Sequence, residues 1–115
     1  MNKLVSDNFE VPEILETEHY RLRMLTIHDV LKDYLAVISS TKQLINRFGD
    51  GGTWPKGLTI EQNLIDLGWH QKEFENRTSF AYTVVSLDDS EVLGCFYIYP
   101  SKSKEYCADI FLWYK

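Results

Sequence analysis

Cys95 and Cys107 are the two cysteines of this 115-residue chain, and a cysteine thiolate can act as a covalent nucleophile. Both fall on segments predicted to pair as a hairpin around residues 101–104, in a register that does not set one opposite the other. A thiol becomes reactive where a His, a Lys or a helix N-terminus lowers its pKa, and the neighbouring sequence offers none of these. We therefore expect two free thiols that pack as small apolar side chains, with a nucleophilic cysteine as the alternative.

Metal and phosphate chemistry have little support in the sequence. His19, His28 and His70 lack the spacing of metal ligands, and we expect no metal site. Residues 49–52, of sequence GDGG, lie between two predicted helices. A phosphate-binding loop joins a strand to a helix, so that backbone N–H groups and the helix dipole point at the anion. We therefore interpret residues 49–52 as a connecting loop.

The composition is that of a globular domain, with 44% hydrophobic and 25% charged residues. The aromatic share is high at 14%, which indicates a dense core or an aromatic-lined pocket. The formal net charge is -5 and the basic residues are scattered, so nucleic acid is not an expected partner. No apolar stretch has the length of a signal peptide or a membrane span, so we expect a cytoplasmic protein with no membrane partner. One domain is expected over residues 1–115, with residues 1–14 as an extended N-terminal segment.

Hydrophobic periodicity predicts the elements that must position any site. Residues 16–25 alternate between apolar and polar side chains, which predicts a half-buried strand. Thr26 and Asp29 have the spacing of a variant capping box, so a helix is predicted to begin near Ile27. Residues 39–41, of sequence SST, compete for backbone hydrogen bonds and predict a bend or break in that helix.

A second helix is predicted after Thr59, which caps it with Gln62 at the third position. Its buried stripe is expected to consist of Ile60, Leu64, Leu67 and Phe74. Its solvated face is expected to carry the acidic residues Glu61, Asp66, Glu73 and Glu75. From Thr78 the period changes to two, which predicts three strands separated by turns at residues 88–90 and 101–104.

The last predicted strand is apolar on both faces from Ile110 to Tyr114. An edge strand usually carries charges, a proline or a bulge that prevents unwanted pairing. This strand is therefore expected to lie inside a larger sheet. Either another chain supplies the next strand, as in a homodimer through this segment, or the domain was cut short here.

Two sequence patterns point to a family. Residues 15–17, of sequence LET, with Leu22-Arg23-Met24-Leu25 and Asp29, resemble a pattern L-x-x-L-R-x-L-x-x-x-D. Residues 79–85 and 92–98 resemble a hairpin with Gly94 on its second strand. In their order and spacing they resemble the first half of the Gcn5-related N-acetyltransferase (GNAT) superfamily, from about Leu15 to the end of the chain. The alternative is an unrelated small domain with the same element order.

The resemblance implies an α/β (α+β) fold of one strand, two helices and a three-stranded antiparallel meander, stopping after the fourth strand. It implies transfer of an acetyl group from acetyl-CoA to a small-molecule or peptide amine. In the family a loop Q/R-x-x-G-x-G/A after the fourth strand holds the cofactor's pyrophosphate, and the sequence ends before such a loop. The alternatives are therefore a catalytically silent remnant that dimerises or binds a protein partner, and a truncated gene product without its own function.

The resemblance also implies which residues would form the site. Asp109 falls at the carboxylate position of the fourth strand, where it could orient an ammonium group and take its proton. The alternative for Asp109 is a solvated strand residue that faces no cleft.

The remaining implied residues surround the acceptor and the thioester. The acceptor amine is expected near Trp54, Tyr82 and Tyr97, and the cofactor near the strand residues Phe111, Leu112 and Trp113. The alternative for Trp54 is a residue that clamps its loop onto the core.

Overall fold

A five-stranded antiparallel sheet forms the frame of the computed structural model, which describes residues 3–45 and 53–115. The strands follow one another in chain order: β1 (Ile14–Glu16), β2 (Tyr20–Met24), β3 (Phe80–Ser86), β4 (Val92–Pro100) and β5 (Ala108–Tyr114). The helices are α1 (Val30–Ser39), α2 (Thr41–Leu44) and α3 (Ile60–Glu75), with a short 3₁₀ helix, Ile27–Asp29, before α1. The predicted α+β fold and the antiparallel meander β3-β4-β5 are confirmed. The GDGG loop lies outside the described residues.

The single strand predicted over residues 16–25 is wrong, because β1 and β2 form a hairpin there. The Thr17 hydroxyl accepts from the Tyr20 N–H at 3.1 Å, and the Thr17 N–H donates to the Tyr20 carbonyl at 2.8 Å. A threonine side chain that bonds to nearby backbone groups stabilises a turn. The period of two continues on both sides of this turn, which is why the pattern alone did not show it.

The first predicted capping box is present. The Asp29 carboxylate accepts from the Thr26 N–H at 3.0 Å, and the Thr26 hydroxyl accepts from the His28 N–H at 3.3 Å. The box opens the 3₁₀ turn, and α1 follows at Val30. The predicted break is also confirmed, since α1 ends at Ser39 before α2 begins.

The second capping box holds the start of α3. Thr59 and Gln62 each accept from the other's backbone N–H at 3.1 Å. Leu67 and Phe74 are buried as predicted. The burial predicted for Ile60 and Leu64 is wrong, because Asn63 takes the inward position on the first turns of α3 and is 3% exposed. No helix in the described part of the chain is long and apolar enough to cross a membrane.

The two faces of the sheet are covered differently. The helix face, which carries Ala81, Cys95 and Trp113, packs against α1, α2 and α3. The opposite face, which carries Phe80, Tyr82 and Phe96, packs against residues 4–11 and Phe74 from the last turns of α3. Side chains alternate between the two faces along each strand, so the register decides which residues can meet.

Gly94 brings β4 and β5 into close contact. A Cβ atom at this position would overlap the carbonyl oxygen of Trp113 and lie 2.8 Å from the Cα of Tyr114. The sequence pattern therefore contains a glycine here for steric reasons, since any side chain would push the two strands apart.

The outer edge of β5 has no strand beside it within the described residues. Trp113 is fully buried on the helix face, whereas Ile110, Leu112 and Tyr114 are 60%, 47% and 66% exposed. The prediction that further structure covers this strand stays a prediction.

Candidate functional site

A cavity of about 340 Å³ opens on the helix face of the sheet, between α1, α3 and the strands β4 and β5. Aromatic side chains supply much of its wall: Trp54, Trp69, Tyr97, Tyr99 and Phe111. Tyr99 and Phe111 meet edge to face across the strand pair, with ring centroids 5.8 Å apart. The high aromatic content of the sequence is thus explained in part by a pocket.

Asp33 is the buried carboxylate of this cavity, only 3% exposed. One of its oxygens accepts from the side-chain amide of Asn63 at 2.9 Å, and the other accepts from the Cys95 thiol at 3.4 Å. Both donors are neutral. Burial raises the pKa of Asp33 above its usual value, because the charged form loses its hydration.

Cys95 and Tyr97 extend this polar group along β4. The Trp113 indole N–H donates to the Tyr97 hydroxyl at 3.1 Å. Burial raises the pKa of both Cys95 and Tyr97 well above their usual values, so both stay protonated at neutral pH. Cys95 is free and buried and Cys107 is free and exposed, and a protonated Cys95 gives the nucleophilic alternative no support.

Asp66 and His70 stand one turn apart on α3 and complete the polar lining. Burial raises the pKa of Asp66 and lowers that of His70, so the imidazole is neutral at pH 7. The Nδ1 atom of His70 is buried and has no hydrogen-bond partner among the described residues. Asp66 is exposed, as expected for the solvated face of the helix, and it also lies at the wall of the cavity.

The structure brings together three of the residues implied by the family resemblance. Trp54, Tyr97 and Phe111 line the cavity, and Trp113 lies buried on the same face of the sheet. Asp109 is on this face too, paired with Tyr99, but it is not part of the cavity wall.

Tyr82 and Leu112 lie on the opposite face. Tyr82 pairs with Phe96, which in turn pairs with Leu112, so all three side chains project away from the cavity. The Tyr82 hydroxyl donates to the Pro12 carbonyl at 2.7 Å, which ties the N-terminal segment to the sheet.

The three residues implied for the cofactor differ in the direction of their backbone N–H and C=O groups. The Lys115 N–H donates to the Leu93 carbonyl at 2.9 Å, which fixes the alternation of hydrogen-bonded pairs along β4 and β5. Phe111 and Trp113 therefore direct their N–H and C=O groups to β4. Leu112 directs its own to the open edge.

Sequence reasoning missed the polar members of the cavity. Asp33 lies four residues before the buried Val37, and Asn63 lies four residues before the buried Leu67, so each is a polar residue in an apolar helical stripe. A polar side chain at an otherwise apolar position of a helix is the signal that could have identified Asp33 and Asn63 as buried site residues. The described residues contain no group of three or more His, Cys, Asp or Glu side chains arranged to hold a metal ion.

Comparison with known proteins gives the fold a name. No family profile and no curated protein sequence matches the chain. Among solved structures it is similar to the microcin C7 self-immunity acetyltransferase MccE, crystallised with acetyl-CoA and AMP, with a TM-score of 0.72 and 12% identity over 90% of this chain and 56% of that one. It is also similar to the ribosomal-protein-S5-alanine acetyltransferase of Vibrio fischeri, with a TM-score of 0.70 and 14% identity over 88% of this chain and 55% of that one.

A third similar structure is a Bordetella pertussis protein assigned to the GNAT acetyltransferases, with a TM-score of 0.60 and 11% identity over 90% of this chain. The chain spans between 55% and 59% of the length of these three proteins. The GNAT-like fold expected from the sequence is therefore confirmed, and identities this low establish the fold alone.

Proposed function

We propose that this chain provides the acceptor side of an N-acetyltransferase, which transfers an acetyl group from acetyl-CoA to a small-molecule or peptide amine. The observation that carries the proposal is the aromatic cavity with its buried carboxylate, set against β4 and β5 in a GNAT-like sheet. An amine acceptor must be bound, oriented and deprotonated, and a carboxylate in a partly enclosed aromatic site suits those tasks.

The cofactor fits the described residues only in part. Acetyl-CoA would supply the activated acetyl thioester, and the outward N–H and C=O of Leu112 are available to hold its acyl end. The pyrophosphate would need an anion site, typically exposed backbone N–H groups at a glycine-rich helix start. Within residues 3–45 and 53–115, the strand-to-helix connection at Leu25 and Thr26 contains no glycine. The described chain therefore supports the acyl end of the cofactor and not its pyrophosphate.

Asp109 is proposed as the group that accepts the amine proton, directly or through water. It lies on the helix face of β5, two residues before Phe111, which lines the cavity. At about 3.3 Å per residue, its position is roughly 7 Å along the strand from that of Phe111. Asp109 also pairs directly with Tyr99, which lines the cavity, so an amine bound beside that ring would lie near its carboxylate.

Calorimetric titration of the chain with acetyl-CoA tests the proposed function. We expect binding, weakened at least about tenfold by Leu112→Pro, because proline removes the outward N–H while an edge strand tolerates the ring. Ile110→Pro is the matched control, since Ile110 also faces the open edge and is not assigned to the cofactor. No heat of binding at millimolar acetyl-CoA would contradict the proposal, as would equal losses in the two variants.

A second candidate function is self-association through β5, in which the β5 strands of two copies pair across a two-fold axis. The exposed apolar side chains Ile110, Leu112 and Tyr114 along an open edge favour this alternative. Light scattering should then show a dimer that Leu112→Lys converts to a monomer, with Ile65→Lys on α3 as the control. A monomer at high concentration for the unaltered chain would contradict it.

A further inference from the structure

We infer that the helix-face cavity binds an organic ammonium ion with a flat apolar body, and that Asp33 provides the opposing charge. The inference rests on the proposed function for the identity of this ion as the acceptor amine. The binding itself involves no acetyl-CoA and is measured without it.

Two buried aspartates, Asp29 and Asp33, differ in their electrostatic surroundings. Asp29 is paired with Arg23 at 2.8 Å, and the same guanidinium also reaches Asp89 at 3.0 Å. Asp33 has no Lys, Arg or His within ion-pair distance among the described residues, although it is as deeply buried as Asp29. A buried carboxylate without a counter-charge is unfavourable, and a cation that enters the cavity would remove that cost.

The charges around Asp33 make the binding of a cation beside it more favourable. Asp29 on the 3₁₀ helix and Asp66 on α3 both add negative charge, and His70 on α3 is neutral. Cys95 and Tyr97 on β4 are protonated and uncharged, and the Cys95 thiol donates to Asp33. The side chains around the cavity therefore carry excess negative charge.

Asp33 also retains hydrogen-bonding capacity. A carboxylate has about four lone-pair sites, and two are used by Asn63 and Cys95. The remaining sites can accept two N–H bonds from a primary ammonium group, which are stronger than bonds between neutral partners. Asn63 fixes the orientation of the carboxylate, so the site is arranged before the ligand enters.

The aromatic wall favours an organic cation with an apolar body. Ring faces attract ammonium groups and also pack against apolar surface. Trp69 already shows this behaviour, with the Lys72 ammonium 5.6 Å from the centre of its ring. A metal ion would require several oxygen or nitrogen ligands in one place, and the described residues provide no such group.

Three probes of the same shape test the inference at pH 7: phenethylamine, 2-phenylethanol and 3-phenylpropionate. They present a positive, a neutral and a negative end to the cavity, and binding is followed by calorimetry and by tryptophan fluorescence. We expect phenethylamine to bind at least about tenfold more tightly than the alcohol and the acid to bind more weakly than both. Equal affinities for the amine and the alcohol would overturn the inference.

Asp33→Asn isolates the charge. The amide keeps the size of the side chain and an oxygen that accepts from Asn63, so the fold should be retained. We expect the variant to bind phenethylamine no better than 2-phenylethanol, with the affinity for the alcohol unchanged. Glu75→Gln removes one negative charge from the exposed end of α3 and should leave both affinities unchanged. Loss of phenethylamine preference in Glu75→Gln, or its retention in Asp33→Asn, would contradict the assignment.

A measurement on the unaltered chain keeps the test independent of variants. The side-chain carboxyl signal of Asp33, followed by ¹³C NMR against pH, should show a lower pKa when phenethylamine is present. An unchanged titration would overturn the assignment. If the chain prefers the amine but does not bind acetyl-CoA, the proposed acetyltransferase function is rejected and the ammonium site stands. If it binds acetyl-CoA but shows no preference for the amine, the ammonium site is rejected and the proposed function stands.

Discussion

The two faces of the sheet use similar aromatic residues for different purposes. On the opposite face, Phe74 packs edge to face with Phe80 and Tyr82, with ring centroids 5.1 Å and 5.4 Å apart. On the helix face, Tyr97 stacks beside Tyr99, and both rings line a cavity that also contains the buried carboxylate of Asp33. Each face has a cavity, of about 350 Å³ on the opposite face and about 340 Å³ on the helix face. The cavity of the opposite face is lined mainly by apolar side chains, whereas that of the helix face lies next to buried polar groups.

The difference indicates where function lies. Buried polar groups reduce stability unless they are satisfied, and the helix face contains Asp33, Asn63 and Thr83 at 3% exposure or less. The opposite face contains the buried hydroxyl of Tyr82, which is bonded to backbone. The helix-face cavity, which is lined by buried polar side chains, is therefore the one suited to bind a polar ligand.

Phe74→Ala should have the largest effect on stability. It removes a buried ring from the aromatic cluster of the opposite face, and we expect a loss of about 3–5 kcal/mol in the free energy of unfolding by urea denaturation. The exposed Leu31 gives the control, since Leu31→Ala should change stability by less than about 1 kcal/mol. The affinity of the folded Phe74→Ala protein for phenethylamine should be unchanged. A loss of this affinity would contradict the assignment of ligand binding to the helix face alone.

Gly94→Ala should have the next largest effect. The added methyl overlaps the β5 backbone, and overpacking of this kind costs about 1–3 kcal/mol. Gly68→Ala in α3 is the matched control, because its methyl would meet only Ile27 at 3.8 Å. That variant should gain up to about 1 kcal/mol from improved helix propensity. If thermal denaturation shows equal changes, the close approach of β4 and β5 is not what requires glycine at position 94.

The tyrosines of the two faces give a matched pair. Tyr82→Phe removes one hydrogen bond to Pro12 and should cost about 1 kcal/mol. Tyr97→Phe leaves the buried indole N–H of Trp113 without this acceptor and should cost about 1–3 kcal/mol. Only the second change should also alter phenethylamine binding. An effect of Tyr82→Phe on ligand affinity would show that the faces are not independent.

The smallest effect concerns His70 and pH. Burial lowers its pKa from 6.5 in the folded chain, although Glu73 and Asp66 oppose the shift. The unfolded chain then binds more protons just below pH 6.5, so stability should fall as the pH decreases through that value. His70→Gln should reduce this slope in urea denaturation between pH 7 and pH 5, whereas His19→Gln at an exposed site should not. A slope unchanged in His70→Gln would place the titrating group elsewhere.

Local signals allowed much of the fold to be predicted from the sequence. The capping boxes at Thr26 and Thr59, the break at residues 39–41 and the meander all depend on neighbours within a few residues. The β1–β2 hairpin was missed because the Thr17 turn does not interrupt the alternation of side chains. Local sequence signals therefore predicted the helices and most of the strands, and they missed the turn at Thr17.

The candidate site was less predictable, because it depends on which strand residues share a face. Trp54, Tyr97 and Phe111 were expected at the site and do line one cavity. Tyr82 was also expected there, but its side chain lies on the opposite face of the sheet. Asp33 and Asn63 come from helices about 30 residues apart in sequence, and their contact requires helix packing that periodicity alone does not give. Contacts of this range depend on tertiary structure.

We propose that the helix-face cavity and the adjoining β5 edge form one amine-acetylating site. The most direct test of this proposal is mass spectrometry of the purified chain incubated with acetyl-CoA and phenethylamine. We predict formation of N-acetylphenethylamine above the protein-free rate, reduced in Asp33→Asn and unchanged in Glu75→Gln. No product above that rate, from a chain that demonstrably binds the amine, would contradict the acetyltransferase account.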